Sequence, residues 1–255
     1  MSEAFYQTIA PWYDLEFARF DADLELYLGY AGIVGGPILE PACGTGRLLV
    51  PLAEAGYSVL GVDSSPAMIE QARRRIAAAG AETASVEPGD MRDLSRFQES
   101  SFRLVIIALN SFLHLETRED QLAALRAARR VLDRDGLFIL DMFHATPAVL
   151  QAMDDRLALD GHWPLPDGGQ LVRFSQRRVR PATQQIDSVL FYDRLSADGE
   201  LRRTVAAYTM RYLHRFELEG LIEEAGLAIE GIYGDYALQP LDDGSPQLIA
   251  VAHRA

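Results

Sequence analysis

The sequence contains no lysine: all 24 of its basic residues are arginine. Chemistry that needs a side-chain amine is thereby excluded, including the pyridoxal Schiff base and the lysine of a phosphate-binding loop. Cysteine is almost as scarce. The single Cys43 cannot form an intramolecular disulfide or a cysteine-based zinc site, and with no base implied nearby it reads as a small buried turn residue and not as a nucleophile. No run of about eighteen uncharged apolar residues occurs, and the start, MSEAFYQTIAPWYDLEF, lacks a basic end followed by an apolar stretch. Neither a membrane span nor a secretory leader is expected, which points to a cytoplasmic protein. Net positive charge is also missing. A formal charge of −13 opposes the phosphate attraction on which nucleic-acid binders depend, so no nucleic-acid partner is expected.

What is present is enough apolar material, 49% of 255 residues, for one large domain carrying an insertion. From Ile38 to Asp141, short apolar runs (38 to 40, 57 to 62, 83 to 87, 103 to 109, 136 to 140) alternate with helical spacings such as Ile69, Ala72 and Ile76, or Leu122, Leu125 and Leu132. That alternation predicts a parallel sheet with crossover helices. Ser64 or Ser65 can cap the second of these helices, with Pro66 in its first turn. The aromatic-rich residues before the first strand, among them Tyr6, Trp12 and Tyr13, predict one or two helices lying over the sheet. Beyond the fifth strand the pattern changes: segments 170 to 180, 186 to 195 and 201 to 214 predict three antiparallel strands, joined in part by the turn signal SADGE. A helix at about 216 to 225 and strands at 227 to 233 and 247 to 253 close the chain.

The stretch LEPACGTG, residues 39 to 46, is the first place where chemistry can be read. A glycine turn between strand and helix directs backbone N–H groups at a ligand across the strand ends. A dinucleotide site normally wants a third small residue for helix packing, and Leu49 stands there instead. Glu40, just before the turn, would repel a pyrophosphate and attract an ammonium group. Asp63, ending the second strand, can accept both hydroxyls of a ribose, and Asp90 in PGDMRD can accept from an adenine amino group. An amine, a ribose and an adenine without phosphates is the inventory of S-adenosylmethionine.

In these motifs the sequence resembles the class I S-adenosylmethionine-dependent methyltransferases. LEPACGTG resembles the family's glycine-rich motif, GVDSSPAMIEQAR its ribose segment, GDM its adenine segment, IIALNSFLHL the end of its fourth strand and LDRDGLFILDMF its fifth strand, all in register over roughly residues 37 to 142. Pro41-Ala42 departs from the small residues many members carry there. The resemblance implies an α/β fold: a seven-stranded, mostly parallel sheet with helices on both faces, a last antiparallel strand and an antiparallel insertion. Divided accordingly, 1–34 form a helical lid, 35–145 the cofactor-binding core, 146–214 the insertion, and 215–255 the rest of the core sheet.

By that resemblance Glu40 and the backbone around Ala42, Cys43, Gly44 and Gly46 hold the methionine end. Asp63 binds the ribose, Ser64 and Met68 lie beside ribose or adenine, and Asp90 with Met91 reads the adenine. The backbone of Leu109 takes the methionyl amine, and Asn110 opens toward the acceptor. Tyr13, with Tyr6 and Trp12, is expected as an aromatic lid over the sulfonium, and His114 as a general base or a positioning group. Tyr13, Asn110 and His114 are therefore the candidate catalytic residues. The acceptor is expected to be a small molecule methylated on N or O; Tyr192, Tyr208, Arg211 and Tyr212 of the insertion are expected either to wall its pocket, closed by Asp235 or Tyr236, or to form the surface of a homodimer. The arginine runs at 73 to 75 and 129 to 130 read as solvated helix faces. No metal is expected, Asp141 with His144 being the one local pair of ligand type. A non-catalytic S-adenosylmethionine sensor and an NAD-linked oxidoreductase are the alternative readings.

Overall fold

A computed structural model describes residues 3–17 and 20–255. Its central sheet forms where the sequence is apolar on both faces. Strands β1 (Ile38–Pro41), β2 (Val59–Asp63), β3 (Ala84–Pro88), β4 (Phe102–Ile107) and β5 (Leu132–Phe143) pair in parallel, and β10 (Leu227–Tyr233) and β11 (Gln247–Arg254) extend the sheet beyond β5. The order is β10-β11-β5-β4-β1-β2-β3, with β11 antiparallel to both of its neighbours. The chain winds from β1 outward through β2 and β3, then returns to place β4 on the other side of β1. That reversal opens a crevice at the carboxyl ends of β1 and β4, where ligands of open α/β sheets bind.

Local chemistry starts and stops the helices. Helix α4 (Pro66–Ala79) is capped by Ser65, whose hydroxyl accepts from the Met68 N–H at 3.5 Å, has Pro66 in its first turn, and ends at Gly80 in the left-handed conformation, φ 63°. Each of these devices satisfies an orphan group or fits an awkward φ. Ser65→Ala is expected to destabilise the fold by about 1 kcal/mol, read as a lowered urea midpoint with an unchanged slope. Helix α5 (Arg118–Val131) is capped by Thr117, which accepts from Asp120 N–H at 3.1 Å. It packs Leu122 and Leu125 with Leu39, Val105, Phe138 and Leu140 on one face of the sheet. On the other face Tyr27 and Tyr30 of α2 (Leu24–Val34), with Leu49 and Leu52 of α3 (Leu49–Glu54), cover Ile38, Leu104 and Ile139.

After the short α6 (Pro147–Met153), β6 (Arg156–Pro164), β7 (Gln170–Arg180), β8 (Gln185–Leu195) and β9 (Leu201–Arg211) form a second sheet of four strands, order β6-β7-β8-β9, all antiparallel. Three strands were expected. The missed one, β6, is an edge strand exposed along most of its length, with a register shift between Leu159 and Gly161 and Pro164 at its end. Edges tolerate such breakers, and they hide the alternation. Helix α1 (Glu3–Phe17) joins the two sheets: Phe5, Ile9 and Ala10 pack with Met68 of α4 and with Leu171, Leu190, Tyr192 and Ala206 of the second sheet. The α7 helix (Arg215–Glu224) leads into β10.

The run 73–75 lies on a solvated helix face as expected at Arg73 and Arg74, with Arg75 partly covered; Arg129 and Arg130 are less solvated than expected. Arg75 pairs with Asp14 at 2.8 Å. Arg129 donates to the Gly226 carbonyl at 2.9 Å, and Arg130 to the carbonyls of Leu94 and Phe97. Long arginines at a helix end reach the carbonyls of neighbouring loops while their stems cover apolar surface. Among the described residues no helix is long and apolar enough to cross a membrane, and no group of three or more His, Cys, Asp or Glu could hold a metal ion.

Candidate functional site

The turn after β1 is built on left-handed backbone: Ala42 at φ 60°, Gly44 at 54° and Gly46 at 75°. Only glycine adopts this region without strain, and at Gly46 a Cβ would also meet the Cβ of Ala72 at 3.2 Å, so this glycine lets the turn lie close against α4. The other side of the turn is fixed by Asp63. Its carboxylate accepts from Gly44 N–H at 2.9 Å and from Ser65 N–H at 2.8 Å. Burial raises its pKa, against which these backbone hydrogen bonds act. Asp63 thus ties the glycine turn to the start of α4 and keeps lone pairs at the strand ends. Cys43 is buried, its thiol pKa pushed well up by desolvation, as a packed turn residue would have it.

Glu40 is buried beneath this turn, and its Oε2 has no hydrogen-bond partner. Desolvation pushes its pKa up to about 8, opposed by the nearby positive charge of Arg47. Arg47 itself is committed to Asp23, a wholly buried residue, through bonds of 2.7 and 2.5 Å. An orphaned carboxyl oxygen in such a place is costly and suits a ligand that brings a donor or a positive charge. A pyrophosphate would bring neither.

At the end of β4, Leu109 and Asn110 are both left-handed, φ 50° and 63°. Neither is glycine, so the turn is strained and needs outside support. It comes from β5: Leu109 N–H donates to Asp141 Oδ2 at 3.1 Å, Asn110 N–H to the Asp141 carbonyl at 3.2 Å, and Asn110 Oδ1 accepts from Phe143 N–H at 2.6 Å. Sequence reading singled out Asn110 and Leu109 but took Asp141 only as half of an isolated metal pair.

A cavity of about 140 Å³ lies between α1, this turn and the second sheet, lined among others by Tyr6, Tyr13, Asn110, His114, Tyr192 and Tyr208. His114, on the 3₁₀ turn Ser111–His114, shares a hydrogen bond with the Tyr6 hydroxyl at 3.0 Å and packs against the rings of Phe5, Tyr6 and Tyr208. Desolvation lowers its pKa to about 4, so the imidazole is neutral at physiological pH and weakly basic. Tyr13 stands over Gly44, within 3.9 Å of where a Cβ would be, and its phenol pKa is raised by burial. Trp12 stacks instead on Tyr192, centroids 4.9 Å apart, and so packs α1 onto the second sheet. Two lining residues of charged type are paired: Glu16 of α1 receives Arg173 of β7 and the Tyr192 hydroxyl, the latter at 2.6 Å.

Other expected residues fall as follows. Met68 and Met91 are buried and Ser64 is exposed. Asp90 accepts from the backbone and guanidinium of Arg92, an arginine shared with Asp120, and its pKa is lowered on balance by those bonds although partial burial acts the other way. Of the expected pocket wall, Tyr192 and Tyr208 line the cavity but Arg211 and Tyr212 do not. Strand alternation puts Tyr208 and Met210 on one face and Arg211 on the other, where it bonds Gln121 and Glu217 at 2.7 and 2.5 Å, while Tyr212 packs with Ala145 and Ile186. Asp235 accepts from its own turn at Ala237 N–H, and Tyr236 reaches Asp141 at 3.0 Å, so neither lines the cavity.

Comparison with known proteins accords with this geometry. The family described as "Methyltransferase domain" matches residues 38–136. The cypemycin N-terminal methyltransferase of a Streptomyces species is 30% identical over 222 residues, covering 86% of this chain and 84% of that protein. The putative methyltransferase YqeM of Bacillus subtilis is 30% identical over 125 residues, and the match spans about half of each chain, 49%. Among solved structures, the CcbJ methyltransferase from Streptomyces caelestis superposes with a TM-score of 0.82 at 25% identity, over 100% of both chains.

Proposed function

Because this chain belongs to the S-adenosylmethionine-dependent methyltransferases, we propose that it methylates a nitrogen of a small-molecule amine held in the cavity between α1, the β4 turn and the second sheet. The observation that carries the choice of nitrogen is His114. A hydroxyl acceptor needs a base near neutrality to give up its proton, and a buried imidazole with a pKa of about 4 is too weak for that. An amine that arrives neutral already has its lone pair and needs only alignment and exclusion of water.

The donor supplies a methyl group activated by the sulfonium charge. The residues present fit it: Glu40 with its orphaned oxygen for the ammonium, Asp63 for the ribose hydroxyls, Asp90 and the Met91 backbone for the adenine, and the Gly44 to Gly46 turn and Leu109 backbone around the methionine end. Tyr13 over the glycine turn is suited to face the positive sulfur. Tyr6 and His114 hold one another, and together they offer the acceptor amine uncharged hydrogen-bond partners. The relative similar over most of its length is named for methyl transfer to an N-terminus, which agrees with an amine acceptor. An ammonium group can draw Glu40 to its charged form, whereas the pyrophosphate of an NAD-linked oxidoreductase brings no positive charge to do so. The helical lid, cofactor core and sheet insertion are read as lid, donor site and acceptor wall.

The test is turnover of S-adenosylmethionine with matched amines and alcohols of the same carbon skeleton. Amines are expected to react at least about tenfold faster; reaction with the alcohols alone overturns the choice of nitrogen. His114 stays neutral above about pH 4, so with donor saturating, His114 should contribute no inflection near 6.5, and the rate should climb with pH through the acceptor's own ammonium pKa. His114→Phe and Tyr6→Phe should each lower kcat about tenfold, and the double variant no further, because the two act through one hydrogen bond.

A further inference from the structure

Asp141 is a buried carboxyl group, 1% exposed, without any cationic partner among the described residues. Four elements meet on it. Its Oδ2 accepts from Leu109 N–H after β4 at 3.1 Å, from the Tyr27 hydroxyl of α2 at 3.3 Å and from the Tyr236 hydroxyl of the loop between β10 and β11 at 3.0 Å, while the residue itself belongs to β5. Its Oδ1 is buried and unpartnered. Burial pushes its pKa up to about 6, and the bonds from Leu109, Tyr236 and Tyr27 act the other way.

An aliphatic residue would fill this position in the core at far less cost. What the carboxylate adds is the acceptor for Leu109 N–H, and Leu109 is the first of two consecutive left-handed residues that form part of the cavity wall. Such backbone persists only where its surroundings hold it. Two further bonds from β5, Asn110 N–H to the Asp141 carbonyl and Phe143 N–H to Asn110 Oδ1, survive any change of the Asp141 side chain. The side chain therefore governs the Leu109 half of the turn.

Resting on the methyltransferase reading above, we infer that Asp141 is a positioning residue of the reaction: through its bond to Leu109 N–H it sets the left-handed β4 turn against which donor and acceptor are aligned, and Tyr27 and Tyr236 fix its carboxylate for that purpose. Displacement of the turn lowers the rate of transfer more than it weakens binding, because alignment of the reacting atoms is more sensitive to small shifts than the sum of contacts is.

The experiment compares Asp141→Asn, which keeps an oxygen able to accept from Leu109 N–H, with Asp141→Ala, which does not. Calorimetric titration with S-adenosylmethionine counts competent sites, and kcat is expressed per site, so that partial unfolding does not count as lost catalysis. The expected result is a kcat per site at least about 30-fold lower for Asp141→Ala, with the donor's KM changed less than about threefold, and at least one-fifth of the wild-type kcat in Asp141→Asn. A kcat within threefold of wild type in Asp141→Ala overturns the inference, as does an Asp141→Asn protein that binds the donor but retains less than one-fifth of the rate. If the alanine variant does not fold, the asparagine result decides. Failure of the wild-type protein itself to bind S-adenosylmethionine is a distinct outcome: it refutes the family reading of the site, and the inference with it.

Discussion

Asp63→Ala is expected to weaken S-adenosylmethionine binding by about 100- to 1000-fold, roughly 3 to 4 kcal/mol. Two losses add. The ribose hydroxyls lose their acceptor. The N–H groups of Gly44 and Ser65, at 2.9 and 2.8 Å from the carboxylate, also lose theirs, which loosens the glycine turn and leaves the buried Ser65 donor unsatisfied at a cost of about 1 to 3 kcal/mol. The variant should accordingly unfold at a lower temperature even without ligand. Asp63→Asn keeps one acceptor oxygen and should recover part of both effects. Calorimetry with donor and thermal unfolding of the free protein separate the two; donor affinity within threefold of wild type in Asp63→Ala would rule out the ribose assignment.

Glu40→Gln should move stability and binding in opposite directions. The folded pKa of Glu40, about 8, lies above the roughly 4.3 of an unfolded glutamate, so the folded protein holds a proton that the unfolded chain has released. The stability associated with that proton is complete below about pH 4.3 and declines as pH rises toward 8. Glutamine carries no such proton, and at pH 8 the variant should be more stable than wild type by roughly 1 to 3 kcal/mol, a rise of about 3 to 10 °C in Tm. The gain comes at the expense of function. In the wild type an incoming ammonium group is expected to ionise Glu40 and drive its proton off, so below pH 8 donor binding should release a proton, seen as a dependence of the calorimetric heat on buffer ionisation. In Glu40→Gln that dependence should vanish and affinity should fall about 10- to 100-fold. Equal proton release by both proteins would show that Glu40 is not the group meeting the ammonium.

The burial of Glu40 refines a reading made from sequence. A carboxylate before the glycine turn was taken as a standing negative charge, whereas burial makes it a neutral acid that becomes charged when its counter-charge arrives. The sequence could supply the residue type; desolvation depends on what α2 and the glycine turn place around it.

Most of the core fold was legible because its determinants are local. Apolar runs alternating with helical spacing, Ser65 and Pro66 at a helix start, and glycines at left-handed turn positions act within a few residues of one another. The glycine turn and Asp63 were legible for the same reason, since each stands at a strand end that the pattern locates. The edge strand Arg156–Pro164 escaped because an exposed strand has no buried face to write alternation into the sequence. The fate of Arg211 escaped because a strand's period is 2, so its side chain lies on the face opposite Tyr208 and Met210; Tyr212 escaped because β9 ends at Arg211 and the chain beyond it packs against Ala145 and Ile186.

The sequence by itself therefore determined a doubly wound sheet, the donor's chemical inventory, and the absence of any mechanism requiring a lysine amine. Only tertiary structure decided that His114 is a weak base, that Glu16 is taken up by Arg173 from 157 residues away, and that Asp141 gathers groups 32, 95 and 114 positions distant onto one carboxylate. Residue type and spacing encode what a side chain can do. Its pKa and partners depend on desolvation and on contacts between segments far apart in the chain, and these exist only once the two sheets and the first helix have closed around the site.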